Sequence, residues 1–229
     1  MSVRENLEKL KLNINEIKQK EEIDRDITLI AVSKQKPVEA ILEAISAGQL
    51  VFGENRMQES IEKIPQIKDE RVIWHFIGHL QRNKVKKAVE LFDVIHSVDK
   101  EETAVEISKR CVELDKVMDI FVQVNTTGEE QKSGVDPDSL RELMKSIKSL
   151  PNLRILGLMT ISLFTDDERL IRESFALLRT LRDRMRESFP DLSLDGLSMG
   201  MSGDYELAIL EGASHIRVGT TIFGSRARP

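Results

Sequence analysis

Apolar positions along the chain change texture once. The opening segment places Val3, Leu7, Leu10, Ile14 and Ile17 at steps of four and three, one stripe of an amphipathic helix. The pattern lasts barely two heptads, so it predicts a helix within residues 1–22 laid over the body of a domain rather than a coiled coil. After it, short unbroken apolar runs recur at 28–32, 50–52, 72–77, 92–95, 118–124, 153–158, 192–197 and 215–218. Continuous rather than alternating runs are expected of parallel strands covered on both faces.

A helical stretch follows each run, and several carry start signals. Pro37 and Pro137 sit where first helical residues are expected. Asp99 with Glu102, and Thr165 with Glu168, have capping-box spacing, and Gly48 is placed to end a helix. Eight strand–helix units predict one closed (β/α)8 TIM barrel spanning residues 1–229, with an extra N-terminal helix. A doubly wound open sheet competes, but no G-x-G-x-x-G follows the first strand.

Composition narrows the function classes. The chain has 229 residues, with 34 Lys and Arg against 39 Asp and Glu, a net charge of −5. Its aromatic residues are 8 Phe, 1 Trp and 1 Tyr, too few for a base-stacking platform, and the acidic balance gives no bulk attraction to nucleic acid. No window approaches the roughly 18 apolar residues of a membrane span, and the charged start is unlike a secretory signal. The single cysteine, Cys111, falls on the apolar face of a helix with Ala104, Ile107 and Leu114, which predicts a buried small hydrophobe. Four histidines and one cysteine form no metal-ligand spacing. A cytoplasmic protein is expected. Four cations within residues 81–87 fit a solvated helix start better than an RNA site.

In such a barrel, chemistry gathers where strands end. Lys34 ends the first strand, an unusual place for an ammonium, and desolvation there favours the neutral amine that attacks carbonyls. Ser198 to Asp204 is read as a small-residue loop after the seventh strand, able to bring N–H groups and hydroxyls to an anion. Ser202 could equally be a helix cap. Arg217, Gly219 and Thr220 end the eighth strand beside it. A lysine next to two anion loops suggests a phosphorylated aldehyde or ketone. Pyridoxal 5′-phosphate and Schiff-base-forming sugar phosphates both fit, and the residues alone do not separate them.

The stretches Ala-Val-Ser-Lys (31–34), Phe-Gly-Glu-Asn-Arg (52–56), Trp-His-Phe-Ile-Gly-His-Leu-Gln-Arg-Asn-Lys (74–84), His-Ser-Val-Asp (96–99), Gly-Leu-Met-Thr (157–160), Leu-Ser-Met-Gly-Met-Ser (197–202) and Arg-Val-Gly-Thr (217–220) together resemble the pyridoxal phosphate homeostasis proteins. The resemblance runs from about residue 3 to the end. It implies a barrel like the N-terminal domain of alanine racemase, with pyridoxal phosphate held on Lys34 as an aldimine. It further implies phosphate contacts from Ser198, Gly200, Ser202, Gly219 and Thr220, Arg217 near the pyridine nitrogen, and Asn55 and Met159 beside the ring. Without the resemblance, Asn55 reads as a helix cap with Gln58, and Met159 as core.

A racemase of this type needs two acid–base groups, and the resemblance makes one a tyrosine tied to an added β-domain. The expected barrel fills the chain, leaving no such domain, and Tyr205 is the only tyrosine. The expectation is therefore a monomeric protein without catalytic turnover that stores the cofactor and supplies apo-enzymes; a weak amino-acid racemase-like enzyme is the alternative. His75 and His79 flank the third strand's end as rim histidines, and Lys132, on the 126–134 loop, is placed to reach the same mouth.

Overall fold

The computed structural model describes residues 2–129 and 131–224. Of the expected span 1–229, residue 1, residue 130 in the 126–134 loop, and residues 225–229 lie outside the described residues. Helix α1 (Val3–Lys20) leads into β1 (Thr28–Val32), α2 (Val38–Ser46), β2 (Val51–Glu54), α3 (Met57–Lys63), β3 (Ile73–Phe76) and α4 (Val85–Leu91). Then follow β4 (Val94–Val98), α5 (Glu101–Glu113), β5 (Met118–Gln123), α6 (Leu140–Ile147), β6 (Leu153–Met159) and α7 (Glu168–Ser188). The chain continues with β7 (Gly196–Met201), α8 (Tyr205–Leu210), β8 (His215–Val218) and the short α9 (Thr220–Phe223). The strands are parallel, and β1 pairs with both β2 and β8, so the sheet closes on itself as the eight-unit rhythm predicts.

Helix α1 buries Leu7, Leu10 and Ile14, with Val3 and Ile17 packed partly against the core. Its start is a full capping box: Ser2 Oγ accepts from Glu5 N–H, and Glu5 reaches back to the Ser2 N–H. Asn6 and Asn13 tie it to the barrel's last elements, through the Ile222 carbonyl and the Tyr205 hydroxyl.

Five local expectations are corrected. Pro37 precedes α2 by one residue, and Pro137 lies in a turn ahead of α6, which starts at Leu140. Asp99 does not cap α5; its carboxylate accepts from the Gly134 N–H at 3.2 Å and so ties down the β5–α6 loop. Asp167 rather than Thr165 caps α7, accepting from the N–H groups of Arg169 and Leu170. Asn55 does not cap α3 either: Arg56 holds that position, and Gln58 bonds Glu62 instead. Gly48 closes α2 at φ +78°, as expected.

The largest displacement concerns the seventh strand. It begins at Gly196, not near residue 192, and carries Ser198 and Gly200 inside it. Gly157 and Gly196 face each other across β6 and β7, where a Cβ on Gly157 would lie 1.9 Å from the Gly196 carbonyl oxygen. A Cβ on Gly196 would lie 2.5 Å from the Phe121 ring. Small residues here make room inside a strand rather than mark a loop. Leu192 and Leu194 pack on the core in the approach to it. Cys111 is buried, and its desolvated thiol is pushed up to about 11. No helix among the described residues is long and apolar enough to cross a membrane.

Candidate functional site

Strand ends and the loops after them surround a cavity of about 770 Å³ at the C-terminal mouth of the barrel, within the usual range for small-molecule sites. Lys34, Asn55, Ser202, Arg217, Gly219 and Thr220 line it. Lys132 and His79 also reach its wall, and none of the described lining residues is acidic. A cationic concavity in a net acidic chain favours an anionic ligand.

Backbone geometry at the end of β1 sets the lysine. Lys36 N–H donates to the Ser33 carbonyl at 3.1 Å, closing a turn over residues 33–36 with Lys34 second and Gln35 third. Gln35 sits at φ +58°, a strained region for a residue with a side chain. Its N–H is held by the Glu59 carboxylate at 2.8 Å, which helps to fix that conformation. Beneath the turn, Glu54 is fully buried. Its Oε1 accepts from Ser33 Oγ at 2.7 Å and from Lys63 Nζ at 2.8 Å, while Lys63 also donates to the Ser33 carbonyl at 3.0 Å. Burial raises the Glu54 carboxyl above its ordinary range, against the pull of Lys63 and Ser33. Asn55 follows directly on β2, and its side-chain Oδ1 is buried without a hydrogen-bond partner among the described residues. Gly78 of the β3 tail lies so close that a Cβ would sit 2.1 Å from the Asn55 carbonyl oxygen.

Across the mouth, Ser202 Oγ accepts from the Gly219 N–H at 3.1 Å, joining the loops after β7 and β8. A Cβ on Gly219 would lie 3.2 Å from the Val32 carbonyl oxygen, so glycine permits this close approach. Arg217 is 4 % exposed and bonded by Nη1 to Ser198 Oγ at 2.7 Å and by Nη2 to the Thr160 carbonyl at 2.8 Å. Burial lowers its pKa to about 10, with Asp204 acting in the opposite sense, so it stays cationic at neutral pH. Asp204 in turn takes Ser162 Oγ and the Met201 N–H, each at 2.5 Å.

The structure does not bring Ser198, Gly200 or Met159 to the cavity wall. Ser198 is fully buried against Arg217 and His96 because β7 extends through it. Gly200, at φ +90°, packs so tightly that a Cβ would lie 2.5 Å from that of Ala208. Met159 joins Val94 and Phe121 in a small core cluster. His75 is likewise buried beneath the site, not on its rim. Tyr205 points away from the mouth, toward α1, where its hydroxyl meets Asn13 Nδ2 at 2.6 Å. Lys132 pairs with Glu129 at 2.5 Å and donates to the Ser162 carbonyl at 3.0 Å. Sequence reasoning missed the wall formed by Gln123, Asn125 and Ser133, and an apolar rim of Ile161, Phe164 and Met201. Phe164 is fully exposed, and a lone aromatic between polar loop residues carries no periodic signal.

The family model for the alanine racemase N-terminal domain matches residues 6–227. The pyridoxal phosphate homeostasis protein of Aquifex aeolicus (strain VF5) is 44 % identical over 198 residues, 86 % of each chain. The chain belongs to the pyridoxal phosphate homeostasis protein family. Another structure similar to this family member is that of PipY from Synechococcus elongatus PCC7942 with pyridoxal phosphate bound: 39 % identical, TM-score 0.87, covering 97 % of this chain and 100 % of that one. Alanine racemase of Clostridium difficile 630 shares the barrel at 16 % identity and TM-score 0.76, over 97 % of this chain and 58 % of the racemase, a likeness of fold alone.

Proposed function

We propose that this protein binds pyridoxal 5′-phosphate at the barrel mouth and serves vitamin B6 homeostasis, keeping the cofactor on Lys34 and supplying it to apo-enzymes in the cytoplasm. The observation that carries the reading is one wall, without acidic side chains among the described residues, that gathers Lys34, a buried guanidinium and the Ser202–Gly219–Thr220 group, in a chain 39 % identical to a protein with that cofactor bound. The partnerless Asn55 Oδ1 supports the fit, since a buried polar atom at a cavity wall leaves a hydrogen bond for a ligand to make.

When bound, the cofactor would supply an aldehyde, a group reactive toward primary amines. Lys34 is the amine we assign to it. Ser202, Thr220 and the Gly219 backbone would hold its phosphate, Arg217 would hold its ring nitrogen, and Asn55 would hold the ring. Ser198, Gly200 and Met159 act from beneath, by shaping the floor. A guanidinium that stays charged keeps a ring nitrogen unprotonated, and this favours holding the cofactor over carbanion chemistry. The placement of Tyr205 against α1 supports the absence of turnover, because it removes the one tyrosine from reach of the mouth.

Addition of pyridoxal 5′-phosphate is expected to give a yellow protein with a visible absorption band. Borohydride reduction followed by peptide mass mapping should place the added mass on Lys34, and Lys34→Ala should lose the band. A wild-type protein without a band overturns the reading, and a colourless protein labelled by sugar phosphates would replace it. Lys34-dependent exchange of the α-deuterium of alanine or serine would overturn the absence of turnover.

A further inference from the structure

A row of hydrogen bonds runs from Arg217 into the barrel interior, and its direction follows from valence. A guanidinium only donates, so Ser198 Oγ accepts from Arg217 Nη1 at 2.7 Å. The oxygen keeps a second lone pair, but the single Ser198 proton has no acceptor among the described residues other than His96 Nδ1, 2.8 Å away, and a buried donor left unpaired is costly. His96 Nδ1 is therefore an acceptor, and that ring carries its proton on Nε2. From there it donates to His75 Nδ1 at 2.7 Å, so His75 also holds its proton on Nε2. One cation thus dictates the tautomers of two imidazoles through one hydroxyl.

Packing keeps the row in place. His96 stacks on Phe121 with ring centroids 4.5 Å apart, and Phe121 meets His215 edge-on at 5.0 Å. Ser198 and His96 are fully buried and His75 is 4 % exposed, so solvent is not at hand to replace a lost partner. Burial first, then His75, His215 and Arg217, holds His96 well below its ordinary range, in keeping with a neutral ring.

We propose that His75, His96 and Ser198 are positioning residues: they hold the guanidinium of Arg217, together with the Thr160 carbonyl, in the one orientation that presents its remaining N–H groups to a heterocyclic ring nitrogen. The effect on the ligand rests on the pyridoxal phosphate reading above; the tautomers do not. Nothing in the row touches the cavity except Arg217, so these residues act through it.

Long-range ¹⁵N–¹H correlation spectra of the ligand-free protein test the row directly. His96 and His75 should both appear as neutral Nε2–H tautomers at pH 7, and an Nδ1–H tautomer on His96 overturns the proposal. Absorbance titration with pyridoxal 5′-phosphate tests its consequence. Ser198→Ala and His96→Phe should each weaken binding about tenfold or more and move the visible maximum. Ser198→Thr, which keeps the hydroxyl, and His96→Gln, which keeps an acceptor toward Ser198 and a donor toward His75, should restore both. Unchanged affinity and maximum in folded Ser198→Ala overturns the positioning role. If a variant fails to fold, the wild-type tautomers still decide. A wild-type protein that does not bind pyridoxal 5′-phosphate sinks the functional reading and, with it, the ligand half of this proposal.

Discussion

Beneath Lys34, Glu54 and Lys63 form an ion pair that is nearly dry, with side chains 0 % and 10 % exposed. Beneath Arg217, by contrast, the row is built from a hydroxyl and neutral imidazoles, and its one charged member is the guanidinium at its top. The two clusters meet different demands. The ionic one braces backbone: Lys63 holds the Ser33 carbonyl, and Glu54 holds the Ser33 hydroxyl, so the turn that carries Lys34 is fixed from below. The neutral one aims a side chain, and neutral groups suit that task because another cation beside Arg217 would repel it at low dielectric. A barrel can thus carry polar residues at its strand ends in two ways, by pairing charge or by excluding all but one.

The largest expected effect breaks the ionic side. Lys63→Met keeps an apolar stem in place but leaves the Glu54 carboxylate buried without its cation. It should lower the unfolding free energy by about 3–5 kcal/mol, measured by urea denaturation at pH 7. His96→Phe, which strands only neutral hydrogen-bonding groups, should cost about 1–3 kcal/mol. Equal losses would mean that the charge in the first cluster adds nothing to its structural role.

Opposite pH signs offer a second way to separate them. Burial lowers His75 to about 3 and, with Arg217, lowers His215 to about 4, against an ordinary 6.5. The folded state then binds fewer protons than the unfolded one, so this stability is present above pH 6.5 and is lost as pH falls toward 4. Each such imidazole contributes up to about 1.4 kcal/mol per pH unit within that window. Glu54 is raised, chiefly by burial, so its contribution is full below its unfolded value near 4.5 and fades as pH rises through the folded one. Stability profiles from pH 7 to 4 should therefore flatten in His75→Phe and steepen in Glu54→Gln. Profiles parallel to the parent's in both variants would remove the distinction.

Much of the fold was legible because the barrel's inner and outer faces are apolar over most of each strand, giving continuous runs that can be counted. The C-terminal strand ends were not. β2 runs on to Glu54, β4 through His96 and Ser97, and β7 through Ser198 and Gly200, all polar or small residues that a hydrophobicity reading stops before. Those same residues form the two clusters. Lys34, Arg217, Ser202, Gly219 and Thr220 could be picked out as candidates because each is an unlikely residue at a strand end or a small one beside it. Ser198 could not be placed correctly, since whether it faces ligand or interior depends on a strand boundary four residues away from the expected one. The row beneath Arg217 draws on β3, β4 and β7, with the Thr160 carbonyl added just after β6, and no spacing in one chain reveals that convergence.

The smallest expected effect sharpens the contrast most. Ser33 and Ser198 are both fully buried hydroxyls, each bonded to a charged side chain of its cluster. Ser33→Ala removes one of two donors to Glu54 Oε1 and leaves the charged partner, Lys63, in place. It should cost about 0.5–1.5 kcal/mol of stability. Its loss should add less than fully to that of Lys63→Met, because both act on the same carboxylate oxygen. Pyridoxal 5′-phosphate affinity should stay within about twofold of the parent, whereas the corresponding change at Ser198 removes a hydrogen bond from a charged group that faces the cavity, worth about tenfold or more. Titrating both variants side by side isolates where a hydroxyl matters. An equal loss of affinity from Ser33→Ala would mean that the brace under Lys34 also aims it, and that the two clusters differ in charge but not in purpose.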